Sequence, residues 1–524
     1  MDGLLRAWTG SRVRIGCALW PVLSEENPDS MNDINSTESS LTTLETISTE
    51  NGLRSGALGL SGVLMQGITH IAPATATLFT IQLTTSYSGV TAPLAYLIAF
   101  LIVMMLGVSV TQLARHFPSA GGYYTYVSRT VSPRAGFLTS WLFFIYEPTN
   151  SGYCLAFVGS VLERALRAEY QIVFPWWLFF LIAGTFVTWV TYRGIELSAT
   201  MLIVFGIAEV AIVFLLSLWG LFQPGNGGIN FSSFHPGNAR SLGGLSLAVI
   251  FSIFALTGWE GVAPLAEESK DPRKTLPQAI IAAILFMGGF LVLCSWGLLI
   301  GSGTEEIRSF VGSVENPTFV LARRLWGHAW ILVLLALLNS MIAVAIATNN
   351  GATRVWFAMA RSGSLPRSLA KVHPRFQTPV NAVILQAFVT LGVGLGLGVW
   401  IGADKEFEFM GAVVTFALIF IYSAGNLGVF LLYSRERREE FHWVLHFVFP
   451  LLGTVALVFV GYNSLVPWPA PPVAYAPWLA GIWFVLGIAV LIVMRLTGRE
   501  QWMLKAGSVA QERSEHQSVN NGMR

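Results

Sequence analysis

The chain has 524 residues, of which 54% are apolar and only 11% charged, with a net charge of +2. Soluble domains carry about 25% charged residues, so this composition cannot cover a water-soluble globule of such length, and the balanced charge offers no basic surface for nucleic acid. Cys17, Cys154 and Cys294 lie too far apart for a disulfide framework or a metal cluster, and no phosphate loop, dinucleotide motif or zinc-ligand spacing calls for a cofactor.

Residues 30–50 are rich in Ser, Thr and Glu and read as disordered. Met31 offers an alternative start, and no compact apolar core with a small-residue cleavage site marks a signal peptide. Apolar runs of bilayer-spanning length, about 20 residues each, then follow in order. They cover 57–82, 91–113, 136–161, 173–192, 199–222, 243–266, 278–300, 328–352, 379–401, 409–432, 444–464 and 475–496. The expected fold is therefore an all-α polytopic membrane protein of twelve transmembrane helices over residues 55–500. A cytoplasmic N-tail over 1–54 and a cytoplasmic C-tail over 501–524 flank it.

An even number of crossings puts both termini on one side. With that side inside, 24 of the 31 Lys and Arg fall in inner segments and 7 in outer ones. Leaving out Arg6, Arg12, Arg14, Arg513 and Arg524, which lie far from any run, the balance is still 19 to 7. The positive-inside rule then makes both termini cytoplasmic in a multi-pass cell-membrane protein.

Two runs break their own pattern. The first contains ITHIAPATA over 68–76, where Pro73 removes a backbone donor and clashes with the preceding turn. The sixth contains FSIFALTGWEGVAPLAEE, with Gly258, Gly261 and Pro264. Paired interruptions at corresponding positions of two halves point to a transport site near the bilayer midplane.

Ionisable residues inside the runs are few: His70, Glu147, Glu209 and Glu260, with no Lys or Arg deep in any run. A carboxylate without a cation in lipid takes up a proton, faces water or awaits a cationic substrate, and each alternative belongs to a transport pathway. Ser140, Glu147, Asn150, Ser151 and Cys154 share one helical face and are expected to line a cavity, with Pro148 bending the helix. Glu209 stands among Leu202, Phe205, Val213 and Leu216 as a candidate proton carrier, and His70 at the first break is a third candidate. Glu267 and Glu268, followed by Lys270, Arg273 and Lys274, form an interfacial charge cluster at the inner end of the sixth run. A rival reading as an intramembrane serine protease rests on Gly59-Leu60-Ser61-Gly62. It fails because His70, nine residues on from Ser61, lies ~13 Å along the axis on the opposite helix face.

Three segments carry a family resemblance. FPSAGGYYTYVSRTVSPRAGFLTSW (117–141) resembles the P-x-A-G-G-x-Y loop of the amino acid–polyamine–organocation permeases. FALTGWEGVAPLAEESKDPRKTLPQAI (254–280) is similar to their sixth span and its following loop. RVWFAMARSGSLPRSLAKVHPRFQTP (354–379) is similar to the loop after their eighth. The resemblance implies a five-plus-five inverted repeat with discontinuous helices 1 and 6, one repeat over about 57–222, a second over about 243–432, and peripheral helices over about 444–496. It also implies a secondary transporter, not an enzyme, that holds its substrate between the two breaks and works by alternating access. Ile71, Ala72, Pro73, Ala74 and Thr75 then form one side of the site, and Phe254, Ala255, Leu256, Thr257 and Gly258 the other.

Free amides at Ala74, Thr75 and Ala76 would face a substrate carboxylate, and bare carbonyls of 254–257 a substrate ammonium. Trp259 and Phe254 are candidate gates. The sequence departs from the family in Ala72-Pro73-Ala74, where the family has Gly-Ser/Thr-Gly, and in Glu209, where some proton-coupled relatives have a lysine eleven residues after the counterpart of Ser198. The positions Ile342–Val344, where sodium users offer hydroxyls, are apolar, which favours proton coupling or exchange. The expected partners are an amino-acid substrate, a coupling proton and the lipid bilayer. The alternatives are an amine of the polyamine or ethanolamine type, and an uncoupled amino-acid exchanger.

Overall fold

A computed structural model describes residues 53–303, 316–363 and 365–498. The two tails, 1–52 and 499–524, lie outside the described residues, as does Arg308 of the outer segments. Sixteen α-helices and no β-strand are present among the described residues.

The first apolar run forms three pieces: α1 (Leu60–His70), α2 (Pro73–Leu78) and α3 (Thr80–Ser88). The cause is local. A residue before proline is pushed out of the right-handed helical region, and Ala72 adopts φ 57°, so that Pro73 begins a new helix at its first position. Next come α4 (Ala92–His116), the short α5 (Tyr123–Thr130) and α6 (Pro133–Tyr170), which runs 38 residues from a Ser132 cap to Gln171. Pro148 lies inside α6 without ending it. Then follow α7 (Trp176–Arg193) and α8 (Ile195–Phe222), joined at Gly194. The sixth run is α9 (Leu242–Leu256), a break at Thr257–Gly258, and a 3-10 segment over Trp259–Glu268. Glycine is required at the break because Gly258 has φ 117°. The remainder comprises α10 (Pro272–Ser302), α11 (Pro317–Trp326), α12 (Ile331–Arg361), α13 (Val380–Ile401), α14 (Ala403–Leu431), α15 (Phe449–Asn463) and α16 (Ala476–Leu496).

Among the described residues, nine helical stretches are long and apolar enough to cross a membrane. The runs at 57–82, 136–161 and 173–192 are outside those nine. The first is chopped by its break, α6 carries Glu147 and its polar neighbours, and α7 ends in Tyr192 and Arg193. The chain is a multi-pass membrane protein.

Helix α6 occupies the centre, packed against α12, α13 and α14, while α4 and α8 pack against α10. The pieces α1 and α2 are enclosed by α8, α10 and α12. At the rim, α16 lies on α6 and α14. It is fixed by two tryptophans that each donate to the other's backbone carbonyl, Trp141 Nε1 to Trp483 O (2.8 Å) and Trp483 Nε1 to Trp141 O (2.7 Å). Ile482, Val485, Ile492 and Val493 of α16 point outward, apolar surface suited to lipid.

Candidate functional site

The two breaks meet. A Cβ built on Gly258 would lie 2.6 Å from the His70 carbonyl carbon and 2.8 Å from the Ile71 nitrogen, so only glycine lets the sixth run's break approach the first. A Cβ on Gly261 would lie 2.1 Å from His70 Nδ1. His70 is thereby seated in a slot between α1 and the 3-10 segment.

From that slot His70 Nε2 reaches Glu147 Oε2 at 3.4 Å, both side chains being buried. Glu147 comes from α6 and is admitted by Gly351 of α12, where a Cβ would meet Glu147 Oε1 at 2.2 Å. The sequence offers Glu147 no lysine or arginine partner; the fold supplies a histidine from 77 residues away. Tyr146 stacks on His70, with ring centroids 6.4 Å apart. Glu260 completes the group: Oε2 accepts from the Gly258 amide (3.0 Å) and Oε1 from the Tyr422 hydroxyl (2.9 Å). Trp259, fully buried, stacks on Tyr422 at 5.5 Å.

The expected cavity-lining stripe on α6 is corrected. Ser140 donates to Gly136 O (2.9 Å), Cys154 to Asn150 Oδ1 (2.9 Å), and Ser151 bonds Thr390 of α13 (2.6 Å). Helical side chains at these spacings bond one another or the neighbouring helix instead of facing water. Only Ser140 reaches a space, a void of about 10 Å³ shared with Tyr123, Glu260, Pro264 and Val355. That volume holds about one water.

The amides of the second helical piece are also not free. Thr75 N donates to Ser340 Oγ of α12 (3.3 Å), and Ala76 N to Ala72 O (2.8 Å). The Ala74 amide and Ser340 lie beside the carboxyl of Glu209 from α8, although neither Glu209 oxygen makes a hydrogen bond of standard geometry. Glu209 thus sits apart from the His70–Glu147–Glu260 group, at the start of α2. On the other strand of the site, the Phe254 carbonyl accepts from both the Thr257 amide (3.1 Å) and its hydroxyl (2.7 Å). Ile71, Ala72, Pro73, Ala74, Thr75, Ala255, Leu256, Thr257 and Gly258 are all buried; Phe254 is half-buried.

Above the breaks a cleft of about 830 Å³ opens between α3, α6, α11 and the start of α14. Arg164 and Asp404 face each other across it at 3.1 Å, and Arg323 pairs with Glu169. Its floor is an aromatic group of which Phe79 and Phe157 line the cleft and the other rings pack behind them. Phe407 of α14 contacts Phe79 (5.4 Å), Phe157 (5.0 Å), Phe254 (5.6 Å) and Tyr153 (5.8 Å). Phe254 therefore belongs to this floor, whereas Trp259 lies in the closed, opposite half.

At that closed end two quoted motifs lock together. Arg354 of α12 is fully buried and forms a bidentate pair with Glu268 (2.9 and 3.1 Å). Arg354 lies just past the run at 328–352, and both members of the acidic pair at 267–268 are engaged in ion pairs, as a structural charge cluster would be. Glu267 pairs with Arg361, two helical turns further along the same face of α12. Leu58 lies beside them, accepting from Lys270 N (2.8 Å) and donating to Glu268 O (2.9 Å).

Sequence reading missed Tyr422, Phe407 and Glu406. Glu406 reads as part of a charged loop in ADKEFEF, yet its spacing to Phe409, Met410 and Val413 is that of a buried helix face.

Comparison with known proteins identifies the family. The family model described as amino acid permease matches residues 57–494. A low-affinity putrescine importer of Escherichia coli is 26% identical over 398 residues, 73% of this chain and 82% of the relative. A branched-chain amino acid permease of Bacillus subtilis is 27% identical over 344 residues, 62% and 71% respectively. A serine/threonine exchanger of the same organism is 25% identical over 401 residues, 73% and 85%. With a family model spanning nearly all the helical residues, the chain belongs to the amino acid permease family, membrane transporters of the amino acid–polyamine–organocation superfamily.

Proposed function

We propose that this protein is a secondary active transporter that carries an amino acid across the cell membrane by alternating access, coupled to protons. In this reading residues 55–500 make twelve crossings, with both termini cytoplasmic. The repeats cover about 57–222 and 243–432, and α15 and α16 are peripheral. The observation that carries it is the contact of the Gly258 break with His70 and Ile71, beneath a cleft open on one side and above a void for about one water. Residues Ile71–Thr75 and Phe254–Gly258 hold the substrate, Phe254 and Trp259 bound it on the two sides, and His70, Glu147 and Glu209 exchange the proton.

A second reading, an amine without a carboxylate, is favoured by one observation. The Thr75 and Ala76 amides are engaged within the chain, and the Ala74 amide faces Glu209. A substrate carboxylate would have to displace them. The printed name of one relative, a putrescine importer, accords with it.

Uptake into proteoliposomes separates the readings. A labelled amino-acid mixture and labelled putrescine are offered with and without an inward proton gradient, to wild type and to Glu209→Gln. The first reading expects gradient-stimulated amino-acid uptake that the variant loses. Uptake of putrescine alone transfers the site to amines, uptake indifferent to gradient and variant makes the protein an exchanger, and uptake of neither overturns both.

A further inference from the structure

Glu406 is a fully buried acidic residue that neither the expected site nor the pairs described above use. It lies in the first turn of α14, between Lys405 and the central ring of the cleft floor, Phe407. Its side chain is 0% exposed, and neither carboxyl oxygen has a hydrogen-bond partner among the described residues. Among the described residues no Lys, Arg or His pairs with it. From α13 it meets Gly398, where a Cβ would lie 3.1 Å from Oε2 and still closer to the Trp176 ring that opens α7. On α6, Tyr153 and Cys154 lie within electrostatic reach of it. The Tyr153 hydroxyl is itself buried and without a partner, and Cys154 donates to Asn150. On its own helix, Asp404 is held by Arg164 and Glu408 by the Tyr87 hydroxyl. Asp404, Lys405 and Glu408 line the cleft, and Glu406 is turned away from it.

An ionised carboxylate enclosed in this way, with neither cation nor donor, is strongly disfavoured. A neutral carboxylic acid fits the same space. We propose that Glu406 is a proton-binding site of this transporter, occupied while the aromatic floor is closed and emptied into the cleft water when the floor opens.

The coupling follows from adjacency. Ionised Glu406 needs water, and the nearest water is in the cleft that Asp404, Lys405 and Glu408 already line. Bringing Glu406 to that cleft requires the first turn of α14 to turn or shift, and this withdraws Phe407 from Phe79, Phe157 and Phe254. Proton release and parting of the floor are then two views of one movement. The consequence for coupled transport rests on the transporter reading; the proton site itself does not, and its test needs no substrate.

Cys154 is a built-in reporter, buried next to Tyr153 of the aromatic group and within electrostatic reach of Glu406. In a Cys17→Ser, Cys294→Ser background it is the sole thiol of the full chain. The rate of its reaction with N-ethylmaleimide is measured in detergent-purified protein between about pH 6 and about pH 9, a range that brackets documented buried glutamates. Each rate is divided by that of the denatured chain at the same pH, which removes the thiol's own dependence. The proposal expects the normalised rate to rise about tenfold or more across this range, the change that one displaced protonation equilibrium allows. Glu406→Gln, a neutral isostere, should hold it flat at the low value. Glu406→Asp keeps an ionisable group and should keep a step, which decides the matter if the glutamine chain is not recovered. A normalised profile that is flat in wild type, or that rises equally in wild type and Glu406→Gln, overturns the proposal. If the step is found while proteoliposomes take up neither amino acids nor putrescine, the proton site stands and the transport reading falls.

Discussion

Single residues decide whether the breaks and the buried polar groups around them can assemble. Gly351 leaves room for Glu147, and a methyl group there would overlap its carboxyl. Gly351→Ala is expected to push Glu147 from His70, with overpacking of about 1–3 kcal/mol, and to lower uptake about tenfold while the protein still reaches the membrane. Uptake assays beside a membrane-fraction blot check this. Ala72 sits at φ 57°, a region that costs an L-residue about 1–2 kcal/mol. Ala72→Gly should be tolerated or raise the thermal midpoint, whereas Ala72→Val should lower it; melting in detergent distinguishes them. Arg354 and Glu268 are buried together, and removing one partner of such a pair costs about 3–5 kcal/mol. Glu268→Gln should therefore melt well below wild type, and a joint Glu268→Leu, Arg354→Met change should recover most of the loss.

At the scale of elements, the two broken runs behave as a matched pair. Pro73 starts α2 only because Ala72 has left the helical region, and Gly258 permits the other chain to close against that point. Pro73→Leu removes the constraint on residue 72 and favours one continuous helix through the site. Uptake is expected to be abolished with normal membrane abundance; normal uptake would remove the two-break site. Gly258→Leu should give the same phenotype for a different reason, since its side chain would collide with the His70 backbone.

For the whole molecule, the asymmetry between a cleft of about 830 Å³ and a void of about 10 Å³ describes one closed side and one open side. The open side is walled by α3, α6, α11 and α14, and the closed side is held by Glu268–Arg354 and Glu267–Arg361. In a chain without native cysteines, a thiol at Ala168 in the cleft should react with a membrane-impermeant reagent from one face only. A thiol at Ser140, beside the void, should react about tenfold more slowly or less, as expected when opening is a minor population. Equal rates at the two positions would mean that the closed side is open in the membrane.

Much of this architecture is written in local sequence. Helix after helix coincides with an apolar run because lipid leaves the backbone no other way to satisfy its hydrogen bonds, and the break at residues 71–73 falls where Pro73 removes a backbone donor. The three quoted motifs were enough to indicate the family. Pairing across distance was not legible. Nothing near Glu147 in sequence indicates His70, nothing near Glu268 indicates Arg354, and the ADKEFEF segment reads as a loop until α13 and α6 enclose Glu406. The amides after Pro73 look free along the chain and are engaged only because α8 and α12 bring Glu209 and Ser340 to them. The sequence by itself determined where helices run and where they break, since those depend on residues within a few positions of one another. Which buried charge meets which, and which remains alone, depends on side chains brought together by packing from helices far apart in the chain, and only the tertiary structure decided it.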